Sequence, residues 1–257
     1  MRMLGRLEYI KVRARAILDA GSGTGNAAPE LLRRYRGAQV IALDLAATML
    51  QQARRRVKWW QGLPGLHPPL HFVCADIERL PLADASVGLV WSNLALQWVQ
   101  DLPRAFAEFF RVLEPGGLLM FSTFGPDTLK ELRRAYEGTD GRTHVNRFVD
   151  MHDIGDMLVQ TRYADPVMDM EPFTLTYDTA KALMRDLKSI GAHNVTRGRP
   201  GGLSGKTLIA SVERNYEAFR RDGKLPATFE VVYGHAWKPQ PRTSPTGHRV
   251  IDVRARS

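Results

Sequence analysis

The chain has 257 residues, is 44% hydrophobic and 25% charged, and is long enough to bury one substantial core. No apolar run approaches the ~20 residues that span a bilayer, and the N-terminus, with Arg2, Arg6 and Lys11, lacks the apolar segment of a signal peptide, so a cytoplasmic protein without a membrane partner is expected. The single cysteine, Cys74, excludes an intrachain disulfide and a thiolate metal cluster, and the net charge of +9 favours an acidic partner without choosing among them.

Short apolar runs alternate with helical patterns in the first half, the signature of a doubly wound α/β fold around a mostly parallel sheet. Strands are predicted at 16–20, 39–43, 70–75, 87–92 and 117–123, with helices at about 27–35, 46–58 and 103–113 between them. Pro115-Gly116-Gly117 is expected to stop the last helix and open the next strand, and Cys74 to be a buried strand residue. Gly88 is expected to weaken its strand slightly. After Thr123 two helical stretches, 127–137 and 150–161, follow one another and read as an insertion over about 124–163. Further strands are predicted at 166–170, 173–177 and 229–236, with helices near 179–190 and 207–220. Residues 1–237 therefore read as a single domain and 238–257, rich in Pro, Arg, Ser and Thr, as a disordered basic tail.

The chemistry sits at successive strand ends. Asp19-Ala20-Gly21-Ser22-Gly23-Thr24-Gly25 places a glycine loop between an apolar strand and a helix, where the backbone must turn tightly and let a ligand approach. A dinucleotide fingerprint would need a third glycine where Asn26 stands, and Asp19 suits a cationic ligand better than a pyrophosphate. Asp44 ends the second strand about 20 residues later, as a ribose-binding carboxylate does. Asp76 and Ile77 follow the third strand, and Trp91-Ser92-Asn93 ends the fourth. Each alone is as well read as a cap or a turn former; four in a row at the carboxyl ends of strands mark a ligand site. The seven histidines form no metal-ligand pattern: His67 and His71 are separated by Pro68 and Pro69, which break the helix that would align them. Gly205-Lys206-Thr207 is not a P-loop, because Pro200 stands where its first glycine is required.

From Ala16 to Thr123 these residues resemble the class I, Rossmann-like methyltransferases, which implies a seven-stranded sheet with a helical insertion after the fifth strand and S-adenosylmethionine as cofactor. By this resemblance Asp19, Gly21, Gly23 and Gly25 hold the methionine part, Asp44 the ribose, Asp76 and Ile77 the adenine, and Asn93 lines the methyl-donor side. Over Ala16 to Pro239 the segments Ser92-Asn93-Leu94-Ala95-Leu96-Gln97-Trp98, Ser122-Thr123-Phe124-Gly125-Pro126-Asp127-Thr128-Leu129, His144-Val145-Asn146-Arg147-Phe148, Leu187-Lys188-Ser189-Ile190-Gly191-Ala192 and Tyr233-Gly234-His235-Ala236-Trp237 resemble the malonyl-acyl-carrier-protein O-methyltransferases of biotin synthesis.

That resemblance implies esterification of the free carboxylate of malonyl-acyl-carrier protein, an acidic partner with a phosphopantetheine arm; a monomer that does not bind nucleic acid is expected. A carboxylate is ionised at neutral pH and needs no general base, which fits the absence of a base or nucleophile constellation. An arginine is the natural clamp for it, and Arg133 and Arg147 in the insertion are the candidates. Relatives carry a longer segment before the first strand, with a tyrosine-bearing helix over the cofactor, where this sequence has 15 residues. Two rival functions share the fold: hydroxylation of a protein arginine, and non-catalytic assembly with bound cofactor. Nucleic-acid amino-methylation is disfavoured because the Asn/Asp-Pro-Pro-aromatic tetrad is missing.

Overall fold

The computed structural model describes residues 2–56, 70–139, 148–189 and 206–241. Its strands are β1 (Ala16–Ala20), β2 (Gln39–Asp44), β3 (Leu70–Cys74), β4 (Val87–Asn93), β5 (Leu113–Phe124), β6 (Ala164–Tyr177) and β7 (Leu225–Trp237). They form a seven-stranded sheet in the order β3-β2-β1-β4-β5-β7-β6, in which β1 to β5 pair in parallel. Gly117 lies opposite Lys238 and Gly125 opposite Glu230, so the register runs inversely and β7 is antiparallel to β5. The helices are α1 (Arg2–Arg6), α2 (Ala28–Arg34), α3 (Ala47–Arg56), α4 (Leu102–Val112), α5 (Lys130–Tyr136), α6 (Met151–Gln160), α7 (Ala180–Ser189) and α8 (Lys206–Glu217). None is long and apolar enough to cross a membrane.

The chain divides into two compact units. In the first, Met1–Ser122, Gly155–Met168 and Tyr233–Ser257, β1 is buried throughout and β4 at every residue but its last, as strands covered on both faces must be. Helix α4 explains one of those faces. Asp101 caps its first turn by accepting from the Arg104 amide, and Ala105, Phe106, Phe109 and Val112 recur at helical spacing on its buried side. The Phe106 ring packs tilted against Phe121 of β5, with centroids 5.5 Å apart. In the second unit, Thr123–Ile154 and Asp169–Val232, Leu132 and Ala135 of α5 pack with Val212 and Tyr216 of α8 and Leu225 of β7. The Tyr216 hydroxyl donates to the Pro226 carbonyl at 2.7 Å, so its buried end is satisfied.

Three expectations need correction. Strand β5 begins at Leu113 and runs through Pro115-Gly116-Gly117, because Gly116, at φ +78°, turns the backbone without ending its pairing with Lys238. The Lys238 ammonium then donates to the Leu113 carbonyl at the end of α4. Strand β6 is one strand through Glu171-Pro172, where two were predicted; it ends the strand order, and an edge strand tolerates a proline. Cys74 is exposed, because β3 is the opposite edge. At Gly88 a Cβ would lie 3.0 Å from the Ala14 Cα and 3.1 Å from the Arg13 carbonyl oxygen, so a side chain would press on that backbone, and the β4–β5 register shifts between Val87 and Leu89. Before β1 stand α1 and a 3-10 turn, Leu7–Tyr9, whose Leu7 carbonyl accepts from Arg34. Most of the predicted tail, 242–257, lies outside the described residues.

Candidate active site

The glycine loop follows β1, where the chain leaves the most buried part of the sheet. Gly21, Gly23 and Gly25 take φ of +74°, +55° and +77°, a left-handed conformation that side chains resist. Space forbids a side chain as well at Gly21 and crowds one at Gly25. A Cβ on Gly21 would run into the Ala95 side chain, with the Ile77 Cδ1 at 3.7 Å, and one on Gly25 would meet the Ala53 Cβ at 3.0 Å. Gly23 has nothing within 4 Å of that position, so it faces open space. The loops after β1, β3 and β4 therefore converge, as the crevice rule for open α/β sheets requires.

Asp44 fastens this arrangement. Its Oδ2 accepts from the Gly23 amide and its Oδ1 from the Ala46 amide, each at 2.8 Å, joining the glycine loop to the start of α3. From the other end of α3, Arg56 donates to Thr24 Oγ1 at 3.0 Å and Asn26 Oδ1 at 2.6 Å. Asp76 Oδ1 accepts from the Glu78 amide at 2.9 Å, and Glu78 Oε1 accepts from the amides of Gln100 and Asp101. Asp76 and Ile77 are thus held on a loop pinned to the start of α4.

Asp19 is 2% exposed, and its Oδ2 has no hydrogen-bond partner. Burial first, and the neighbouring Asp44 second, push its carboxyl up to about 7 from the usual carboxylate range near 4. Eight buried side-chain polar atoms lack partners among the described residues, and five of them belong to Asp19, Ser22, Trp91, Ser92 and Gln97. Native folds leave few such atoms, so their gathering in the segments that end β1 and β4 marks polar capacity held for a ligand.

Asn93 ends β4 opposite Ser122 of β5. The Ser122 hydroxyl donates to Asn93 Oδ1 at 2.9 Å and accepts from the Leu94 amide at 3.1 Å. Ser122 is a site residue the sequence reading missed: a small hydroxyl inside an apolar strand carries no signal of its own, and only the register joins it to Asn93. Thus Asp19, the three glycines, Asp44, Ile77 and Asn93 gather within the first unit, with Asp76 beside Ile77. Arg133 belongs to the second unit, where its Nη2 donates to the Pro126 and Thr128 carbonyls at 2.9 Å and its Nε is buried without a partner. Arg147 lies outside the described residues. No metal-binding cluster occurs among the described residues.

Known proteins similar to this chain include methyltransferases. The family described as a methyltransferase domain matches residues 18–121, from β1 into β5. A malonyl-[acyl-carrier protein] O-methyltransferase of Gallionella capsiferriformans is 60% identical over 98% of this chain and 86% of its own length. The protein of the same name from Nitrosospira multiformis is 57% identical over 95% of this chain and 82% of its own. In fold the chain is similar to a crystal structure from Bacillus halodurans classed as a methyltransferase, with a TM-score of 0.63 and 19% identity over 92% of this chain and 99% of that one. By its near-full-length identity to the first two, the chain belongs to the malonyl-[acyl-carrier protein] O-methyltransferase family.

Proposed function

We propose that this protein transfers a methyl group from S-adenosylmethionine to the free carboxylate of malonyl-acyl-carrier protein. The carrying observation is the 60% identity to a relative named for that reaction, over 98% of this chain. The residues present fit the cofactor: the buried, partnerless Asp19 Oδ2 suits a cation, the glycine loop leaves open space at Gly23, and Asp44 keeps lone pairs beyond the two it uses. On this reading Asp19, Gly21, Gly23 and Gly25 hold the methionine part, Asp44 the ribose hydroxyls, Asp76 and Ile77 the adenine, and Asn93 the methyl-donor side.

When bound, the cofactor supplies a sulfonium methyl: a carboxylate oxygen forms the new O–C bond as the C–S bond breaks, the electron pair stays on sulfur, and no proton moves. The chain need only hold an ionised carboxylate in line and keep water away, which is why its site shows no general base. Arg133 and Arg147 are proposed for gripping the malonyl group, with the Arg133 Nη2 already engaged by two backbone carbonyls. The surplus of positive charge, +9 over the chain, would speed encounter with an acidic carrier.

The test offers methyl-labelled S-adenosylmethionine with malonyl-acyl-carrier protein, malonyl-coenzyme A and the unacylated carrier in parallel. Base-labile label on malonyl-acyl-carrier protein is expected. Cofactor binding with no label on any acceptor would overturn the proposal.

A further inference from the structure

The carbonyl end of the Asn93 side-chain amide is the end its neighbours engage. Ser122 is fully buried, and its hydroxyl has one proton to give and two lone pairs to receive with. The Leu94 amide occupies one lone pair at 3.1 Å, and the hydroxyl proton goes to Asn93 Oδ1 at 2.9 Å. Leu94 is itself fixed in a costly conformation. Its φ is +51°, its amide also donates to the Ser122 carbonyl at 3.0 Å, and its carbonyl accepts from Gln97 Nε2 at 2.6 Å. The Leu94 contacts fix the backbone next to Asn93, and the Ser122 hydroxyl holds the Asn93 side-chain carbonyl. What remains is the amide NH2, on an exposed residue two positions before the Ala95 that packs against Gly21 of the glycine loop.

Building on the carboxyl-methylation reading, we propose that Asn93 presents its NH2 as a donor to the acceptor carboxylate, and that Ser122 is the positioning residue that sets this polarity. A donor-only face favours an anionic oxygen and offers nothing to the N–H of an amine acceptor. The relay from Leu94 N–H through the Ser122 hydroxyl to Asn93 Oδ1 is thus a specificity device: turned over, the same amide would set its oxygen against the substrate's charge. A hydrogen bond from a neutral donor to a charged acceptor also orients one carboxylate oxygen and leaves the other free to react.

The test measures methyl-ester formation on malonyl-acyl-carrier protein, with cofactor affinity read separately by calorimetry, for Asn93→Ala, Asn93→Asp, Ser122→Ala, Ser122→Cys and the Asn93→Ala/Ser122→Ala pair. Loss of one hydrogen bond to a charged group predicts a fall in kcat/KM of roughly 10- to 100-fold for Asn93→Ala, carried mainly by KM. Asn93→Asp is expected to be worse, because it faces one carboxylate with another. Ser122→Ala is expected to lose less, roughly 3- to 10-fold, with Ser122→Cys between it and wild type and cofactor affinity within about twofold in both Ser122 variants. The deciding result is the pair: adding Ser122→Ala to Asn93→Ala is expected to change nothing further, since Ser122 acts through Asn93. Additive losses, cofactor affinity that weakens in step with turnover in the Ser122 variants, or an Asn93→Asp variant as active as wild type would overturn the inference. Wild-type protein that binds cofactor but esterifies no malonyl-acyl-carrier protein would overturn the proposed function, and this inference with it.

Discussion

Replacing Asp19 by asparagine should stabilise the empty protein and abolish its use. The carboxyl titrates at about 7 in the fold and near 3.8 in the unfolded chain, so between those values the folded state binds the extra proton. Stability contributed by this site therefore falls as pH rises from about 4 to about 7 and stays low above. At 1.36 kcal/mol per decade of pH, the three decades amount to about 4 kcal/mol at pH 8. Asparagine is neutral at every pH, so urea unfolding should show Asp19→Asn gaining on wild type by about 1.4 kcal/mol per pH unit over that window, then levelling. Saturating S-adenosylmethionine should reverse the order, since only wild type gains the binding term. Below pH 7 wild-type binding should release a proton and weaken about tenfold per unit, which calorimetry in buffers of different ionisation enthalpy would show. A stability gap between the two proteins that does not change with pH, or a variant that binds cofactor normally, would refute the reasoning.

Three further substitutions probe the frame. Gly21→Ala should weaken cofactor binding more than tenfold and cost roughly 1–3 kcal/mol in denaturant unfolding, because φ is +74° and the methyl group meets Ala95. Gly88→Ala should cost roughly 1–3 kcal/mol while leaving cofactor affinity nearly intact, because its methyl group presses on the Ala14 backbone at 3.0 Å on the way into β4. Arg111 donates to Glu108, Asp84 and the Leu80 and Leu82 carbonyls, and by hydrogen bonding holds the Glu108 carboxyl below its usual range. Arg111→Leu should lower stability by roughly 2–4 kcal/mol in neutral solution. Because the Glu108 carboxyl is depressed in the fold, its contribution is present above its unfolded pKa and lost as pH falls through the folded one; the difference between Arg111→Leu and wild type should therefore narrow in acid.

The strands of the parallel sheet were readable because doubly covered strands must be continuous apolar runs, and the candidate ligand residues because such sheets expose their carboxyl ends. Asp19, the three glycines, Asp44 and Asn93 all follow from those two facts. What resisted reading depends on strand order, which no local pattern carries. Cys74 looks like a core residue until β3 is known to be an edge, and Pro172 looks like a strand break until β6 is known to be the other edge. Pro115-Gly116-Gly117 reads as a turn because the partner that keeps its pairing, Lys238, is 121 residues away from Gly117 along the chain. Ser122 gains its meaning only from the register that sets it beside Asn93. The Arg133 side chain is similar: nothing in the local pattern shows that two backbone carbonyls take its Nη2.

The partnerless atoms of the site give these separate observations one energetic sense. A buried polar group without a hydrogen bond costs roughly 1–3 kcal/mol, and five such atoms lie in the segments ending β1 and β4. A fold of ordinary net stability, about 5–15 kcal/mol, can carry that burden only if the surrounding sheet over-determines the geometry. The parallel core does so here: β1 is buried at every residue, and the glycine loop is tied to Asp44 and Arg56 rather than left to find its shape on binding. Binding energy is then not consumed in ordering the loop and can be used to ionise Asp19 and to exclude water from the reacting carboxylate. Substitutions that merely satisfy those atoms should therefore raise stability and lower turnover together, a pairing that separates a site built for a ligand from an accidentally imperfect core.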